Sequence, residues 1–192
     1  MRIKTLLVVV AVTLLLCAPA AFAQNLLTNG GFEMGNFTGW GGDQNGASVV
    51  SGPFYVYSGA QEGSFYAVLG PVGVDGTLNQ SFTTTAGGSY TFSFYLAAVG
   101  DDPSDFTATW DGNTVYSATD PNTGGAWQLF SFTETGTGHD TIGFSFRDDP
   151  AWIALDNVSV TQNNSVPEPS SFLLMGSGAL ALAGVIRRKF RG

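Results

Sequence analysis

Short runs in which hydrophobic and polar residues alternate recur between residues 24 and 162. The clearest run extends from Ser89 to Leu96, where Tyr90, Phe92 and Phe94 alternate with smaller or more polar side chains. This period of two is typical of a β-strand with one buried face. No segment in this region keeps a helical period for three turns, so the pattern predicts a β-rich body.

Seven further runs have the same character, and glycine, asparagine, aspartate and proline separate them. Eight or more short strands of this kind, each with one apolar face, predict an all-β fold, namely an antiparallel jelly-roll sandwich of two sheets spanning residues 24–162. The seven runs are Phe54–Tyr57, Phe65–Leu69, Thr77–Phe82, 106–110, Trp127–Thr133, 141–146 and Trp152–Thr161.

The first 23 residues have the pattern of a secretory signal peptide. Two basic residues precede an apolar run of 11 residues, and an Ala-x-Ala sequence places the cleavage between Ala23 and Gln24. The alternative is a membrane anchor, but the run is shorter than the roughly 20 residues that span a bilayer. We therefore expect a signal helix over residues 1–23 and export through the secretion translocon.

The C-terminal end has three features in order. Pro167, Glu168 and Pro169 end a spacer over residues 163–169, an apolar run occupies 170–186, and a basic tail over 187–192 begins with Arg187 and Arg188. The apolar run has 17 residues, the lower limit for a transmembrane helix. The basic tail should stay in the cytoplasm, so the pattern predicts a transient inner-membrane anchor with the body outside.

This C-terminal arrangement resembles the PEP-CTERM sorting signal. The resemblance implies processing by an exosortase near Glu168, in a Gram-negative bacterium that makes exopolysaccharide. It also implies a final location on the cell surface or in the extracellular matrix. The alternative is an ordinary tail anchor with a chance Pro-Glu-Pro sequence.

The charge of the body limits its partners. Residues 24–166 contain one basic residue, Arg147, and 14 acidic residues, a net charge of −13. Such a surface repels phosphate backbones, so nucleic acid is not an expected partner. The single Cys17 lies in the predicted signal peptide and His139 is the only histidine. The mature chain therefore offers oxygen ligands, which suit Ca²⁺.

Both ends of the body resemble galactose-binding-like jelly rolls and carbohydrate-binding modules, through the opening Asn25-Leu-Leu-Thr-Asn-Gly-Gly-Phe-Glu33 and the closing Ala154-Leu-Asp-Asn-Val-Ser-Val160. In that family the first and last strands are adjacent, and a structural calcium often lies between them. The resemblance implies calcium ligands from the carboxylates of Glu33 and Asp156 and from backbone carbonyls near Asn29 and Gly31. The alternative is that Glu33 and Asp156 are ordinary turn and strand-edge acids.

Aromatic residues near loops are candidates for sugar stacking, with Asp and Asn side chains reading the hydroxyl groups. Tyr55, Tyr57 and Trp152 are the candidate platform, and Asp101 and Asp102 lie in an acidic loop that could bind a hydroxyl group or a second cation. For the aromatic candidates the alternative is a place in the core, which we expect for Trp40 and Trp110. For Asp101 and Asp102 the alternative is an ordinary solvated loop.

The sequence contains no recognisable catalytic arrangement. It has no Gly-x-Ser-x-Gly elbow, and the single His139 lies in a glycine-containing turn. We therefore predict a non-enzymatic, exosortase-processed surface or matrix protein with a calcium-stabilised body that binds exopolysaccharide or is embedded in it. The alternatives are a structural or adhesive matrix protein without a specific glycan ligand and a small polysaccharide-active enzyme.

Overall fold

The computed structural model describes residues 24–100 and 103–163. The expected signal helix, Ala23, Asp101, Asp102, the Pro-Glu-Pro motif and the apolar and basic C-terminal segments all lie outside the described residues. The chain divides into two compact units, Met1–Gln162 and Asn163–Gly192, and every described strand belongs to the first. In the described ranges no helix has the length and hydropathy needed to cross a bilayer.

The described residues form an all-β body, which confirms the expected fold class. Antiparallel pairing joins all neighbouring strands. The strands are β1 (Ala47–Ser51), β2 (Phe65–Leu69), β3 (Gly76–Thr83), β4 (Ser89–Ala97), β5 (Ser104–Trp110), β6 (Asn113–Thr119), β7 (Gln128–Thr135), β8 (His139–Asp148) and β9 (Ile153–Gln162).

Two sheets enclose one aromatic core. The five-stranded sheet has the order β1-β2-β9-β4-β7, and the four-stranded sheet has the order β3-β8-β5-β6. Alternating side chains of β4 and β8 meet in the middle, where the Phe94 and Phe144 rings lie edge to face at 5.4 Å. Trp40 and Trp110 also lie in this core, as expected.

The N-terminal segment closes the body by pairing with its last strand. Leu26 N donates to Val160 O at 2.8 Å, and Val158 N donates to Gly30 O at 2.9 Å. Only glycine fits at position 30, because a Cβ there would lie 2.1 Å from Val158 O. Among the residues that the structure describes, every buried core side chain lies between Leu27 and Val160.

The structure corrects one strand and adds two. The aromatic run Phe54–Tyr57 is a tight turn, since Phe54 and Tyr57 exchange backbone hydrogen bonds across Tyr55, whose φ is 52°. Edge strands β1 and β6 were not predicted from the sequence. Both faces of each strand are partly exposed, which weakens the alternation of hydrophobic and polar residues.

Replacing Phe94 tests the core. Phe94 is fully buried between the sheets, so Phe94→Ala should lower the free energy of unfolding of residues 24–162 by about 3–5 kcal/mol. The matched control, Val72→Ala, truncates a side chain that is 71% exposed and should change it by less than about 0.5 kcal/mol. Urea unfolding measures both values. Equal losses in the two variants would contradict the assigned core.

Candidate functional site

A second apolar cluster lies on the outer face of the five-stranded sheet. Tyr66 and Val68 of β2 and Ala154 of β9 belong to it, while their neighbours Ala67 and Leu155 belong to the core between the sheets. This follows from the alternation of side chains along a strand. Residues 52–64, here called the 52–64 loop, contribute Phe54, Tyr57 and Ala60 to the cluster, and Trp127 and Trp152 pack against it.

The rings of this region form two contacting groups that we together call the aromatic shelf, made of Phe54, Tyr55, Tyr57, Trp127 and Trp152. Phe54 and Trp152 meet edge to face at 5.3 Å, Tyr57 and Trp127 lie 6.5 Å apart, and Tyr55 contacts Tyr57 at 6.2 Å. Tyr55 is 55% exposed, whereas Trp127 and Trp152 are half-buried. The shelf therefore contains one exposed ring, Tyr55, and two half-buried indoles, and the ring of Tyr57 contacts both Tyr55 and Trp127.

Hydrogen bonds fix the shelf to the sheet. Trp127 Nε1 donates to Gly59 O at 3.1 Å, and Tyr66 Oη donates to Gly52 O at 3.1 Å. The Tyr57 hydroxyl donates to the carbonyl of Trp152. These bonds attach the two ends of the aromatic turn to Tyr66 of β2 and to Trp127 and Trp152, which lie directly before β7 and β9.

The structure brings three of the five ligand candidates together. Tyr55, Tyr57 and Trp152 all belong to the aromatic shelf. Tyr57 is buried, however, and packs against the rings of Tyr55 and Trp127. Asp101 and Asp102 lie outside the described residues. Trp127 was missed as a candidate, although its place after the glycine-rich turn at 123–126 and before β7 is a signal that sequence reasoning can use.

Two carboxylates hold the C-terminal part of the 52–64 loop. Asp156 Oδ2 accepts hydrogen bonds from Gln61 N at 2.8 Å and Glu62 N at 3.3 Å. Both carboxylate oxygens of Glu33 accept from Ser64 N, at 2.9 and 3.0 Å, and Oε1 also accepts from the next residue's N–H. The loop therefore lies between one acid from the chain's beginning and another from its last strand.

Asp156 is an unusual carboxylate because it is fully buried on this face. Burial raises its pKa to about 6, and this effect outweighs the backbone hydrogen bonds from Asn157, Gln61 and Glu62, which lower it. The negative charge of nearby Glu33 raises the pKa further. Two acids thus share a region in which ionisation of Asp156 is disfavoured.

The other two calcium candidates, Asn29 and Gly31, belong to the turn that precedes Glu33. Asn29 organises the turn that follows it: its carbonyl accepts from Phe32 N at 3.1 Å and from Trp40 Nε1 at 3.0 Å, and its side chain donates to Asn36 O at 2.8 Å. Gly31 lies beside the Glu33 side chain. Across residues 24–100 and 103–163, no three acidic, histidine or cysteine side chains converge on one point.

The positive charge of Arg147 is used within the body. Its Nε and Nη2 donate to Asp149 Oδ2 at 2.8 and 2.5 Å. This bond raises the pKa of Arg147 and lowers that of Asp149. The same Asp149 oxygen accepts from Gly73 N at 3.1 Å, so the Arg147–Asp149 pair holds the loop that contains Gly73.

Comparison with known proteins identifies the C-terminal segment as a sorting signal. Residues 165–189 match the model of the PEP-CTERM protein-sorting motif. The match confirms the sorting signal expected from Pro167, Glu168, Pro169, Arg187 and Arg188. The motif implies an exported protein that an exosortase processes after transient anchoring in the membrane. No curated protein matches the chain in sequence.

Solved structures resemble the body. A family-61 carbohydrate-binding module in complex with β-1,4-galactotriose is 21% identical, with a TM-score of 0.58 over 73% of this chain and 100% of that one. The K3 cleaved adhesin domain of Lys-gingipain from Porphyromonas gingivalis is 17% identical, with a TM-score of 0.54 over 73% of this chain and 99% of that one. The CBM22-1–GH10 modules of Clostridium thermocellum xylanase 10B, complexed with xylohexaose, are 13% identical, with a TM-score of 0.53 over 77% of this chain and 30% of that one. These likenesses show that the body has the jelly-roll fold.

The raised pKa of Asp156 makes a prediction for the metal-free protein. A pKa near 6 in the folded state, against 3.8 as the ordinary value, adds stability below about pH 4 that is lost as the pH rises through 6. Across this window the free energy of unfolding should fall by about 3 kcal/mol more in the native protein than in Asp156→Asn. Urea unfolding in a chelator at several pH values measures the difference. A pH-independent gap between the native protein and Asp156→Asn would contradict the prediction.

Proposed function

We propose that this protein is exported, processed by an exosortase and delivered to the cell surface or extracellular matrix, where its jelly-roll body binds a glycan, an exopolysaccharide of the producing cell. The observation that carries the binding proposal is the aromatic shelf. The shelf contains the exposed Tyr55 ring and two half-buried tryptophans, and Tyr57 contacts both Tyr55 and Trp127. The PEP-CTERM motif supports the export and processing.

The shelf has the chemistry that sugar binding needs. Pyranose rings have apolar C–H faces that stack on aromatic side chains, and their hydroxyl groups then reach polar atoms at the rim. Gln61 and Glu62 border the shelf, and Asn157 Nδ2 donates to both of their side chains at 3.1 and 3.0 Å. Because the loop is already pinned, binding would cost little ordering of the protein.

The structural neighbours support binding by analogy of fold alone. Two of the solved structures are complexes with oligosaccharides, β-1,4-galactotriose and xylohexaose. A shared fold is weak warrant for a shared ligand, so the proposal depends on the shelf. A binding body also agrees with the absence of a catalytic motif in the sequence, and we propose that the protein is not an enzyme.

We further propose that Ca²⁺ binds beside Glu33 and Asp156 and stabilises the 52–64 loop. The donor set fits a hard cation, since Ca²⁺ prefers carboxylate and carbonyl oxygens. The buried, hard-to-ionise Asp156 next to Glu33 is the supporting observation. Glu33 and Asp156 would hold the ion, with backbone carbonyls around Gly31 as further ligands. Bound calcium would offset the repulsion between the acids and keep the loop in place.

Substitution of Tyr55 tests the shelf. Residues 24–162 should bind one or more polysaccharides of a panel, and Tyr55→Ala should weaken that binding about tenfold because the open stacking ring is lost. Tyr55→Phe keeps the ring and should retain most of the affinity. Affinity electrophoresis and calorimetry measure the effect. If the folded native body binds nothing on the panel, a structural matrix role without a glycan ligand replaces the proposal.

Calcium binding has a separate test in thermal stability. Calcium in excess over a chelator should raise the melting temperature of residues 24–162, because a ligand that binds only the folded state stabilises it. Glu33→Gln should abolish most of this rise, whereas Asp75→Asn, with the same change in charge at an exposed position, should leave it unchanged. An equal rise in the native protein and Glu33→Gln would exclude this pair as the site.

A further inference from the structure

Strand β7 is an open edge of the five-stranded sheet. It pairs with β4 from Thr135 opposite Ser89 to Gln128 opposite Leu96, without any shift in register. In the part of the chain that the structure describes, no strand or isolated bridge pairs with its other side. Eight residues therefore present alternate backbone N–H and C=O groups along a regular, uninterrupted edge.

The other three sheet edges have features that discourage pairing. The edge of β3 is covered, since Gly41 exchanges two backbone hydrogen bonds with Asn79, and Gln44 N donates to Thr77 O. Strand β6 has a register shift opposite β5, and β1 is only five residues long. Strand β7 has no proline, no basic residue and a single acid, Glu134. It lacks the devices that usually protect an edge.

The residues of β7 are arranged almost symmetrically about Ser131. Phe130 and Phe132 flank it on the core side and are half-buried at the margin of the sandwich, while Leu129 on the outer face is 51% exposed. In an antiparallel pairing centred on Ser131, Phe130 of one copy would face Phe132 of the other. Glu134 would face Gln128, so no two like charges would be opposed.

We propose that β7 pairs with β7 of a second copy of this chain, which joins two five-stranded sheets into one sheet of ten strands. The pairing satisfies the open backbone groups and removes the Phe130 and Phe132 rings from water. Each body carries a net charge of −13, and this repulsion opposes dimerisation. Added salt screens the repulsion and therefore strengthens the dimer.

The symmetry of this dimer gives it a consequence beyond the binding of one glycan segment. A two-fold axis through Ser131, perpendicular to the sheet, leaves the outer faces of both copies on the same side. The two aromatic shelves then face the same way and engage two segments of one polymer, or two neighbouring polymers, at once. Such bivalency raises the apparent affinity without any new contact.

Single cysteines test the register, because residues 24–162 contain no cysteine of their own. In the proposed dimer, Ser131→Cys places two thiols directly opposite each other, within the Cα separation of about 4.4–6.8 Å that disulfides span. Leu129→Cys, the matched control, places its two Cα atoms about 14 Å apart. Mild oxidation should therefore link Ser131→Cys into a covalent dimer at least about tenfold faster than Leu129→Cys.

Sedimentation of the unmodified body tests the association itself. Residues 24–162 should show a monomer–dimer equilibrium that shifts toward dimer as the salt concentration rises. Ser131→Lys should weaken it at least about tenfold, because two lysines would be opposed, whereas Thr83→Lys, with the same charge change on β3, should not. A monomer at every concentration would overturn the proposal. A dimer that Ser131→Lys does not weaken would also overturn it. Equal rates of cross-linking in Ser131→Cys and Leu129→Cys would do the same.

Discussion

The attachment of the 52–64 loop to the carboxylates of Glu33 and Asp156 is the constraint on which the binding face depends. The loop follows a short edge strand, and hydrogen bonds from Tyr66 and Trp127 hold the two ends of its aromatic turn, whereas the two acids hold its C-terminal part. Glu33 holds Ser64 N, and Asp156 holds Gln61 N. Gly63 fits between them only because it has no side chain, since a Cβ there would lie 2.4 Å from the Glu33 carboxylate.

The same attachment carries an energetic tension. Asp156 must be ionised at neutral pH to be the strongest acceptor, yet its burial and the charge of Glu33 oppose ionisation. A protein that needed only a pinned loop could use a neutral amide at this position. The cation proposed above would relieve this tension, because its charge would favour the ionised form of Asp156.

Much of the fold could be predicted from the sequence because β4, β5 and β8 are central strands with one buried face. Their alternation survives because every second side chain enters the core. Edge strands β1 and β6 lack that contrast, and the aromatic run at Phe54–Tyr57 imitates a strand although Tyr55 turns the chain. The acids Glu33 and Asp156 were found by resemblance to known jelly rolls. The place of Trp127 after a glycine-rich turn marks it as a candidate, whereas its contact with the 52–64 loop, the bond from Nε1 to Gly59 O, depends on the tertiary fold.

The position of β9 has a consequence for the order in which the body can be completed. This strand is last in the chain but lies in the middle of the five-stranded sheet, between β2 and β4. A chain that crosses a membrane with its N-terminus first therefore keeps β1–β2 and β4–β7 as separate pairs until residue 162 has emerged. The sorting motif begins at residue 165, so only residues 163 and 164 separate it from the strand that completes the five-stranded sheet.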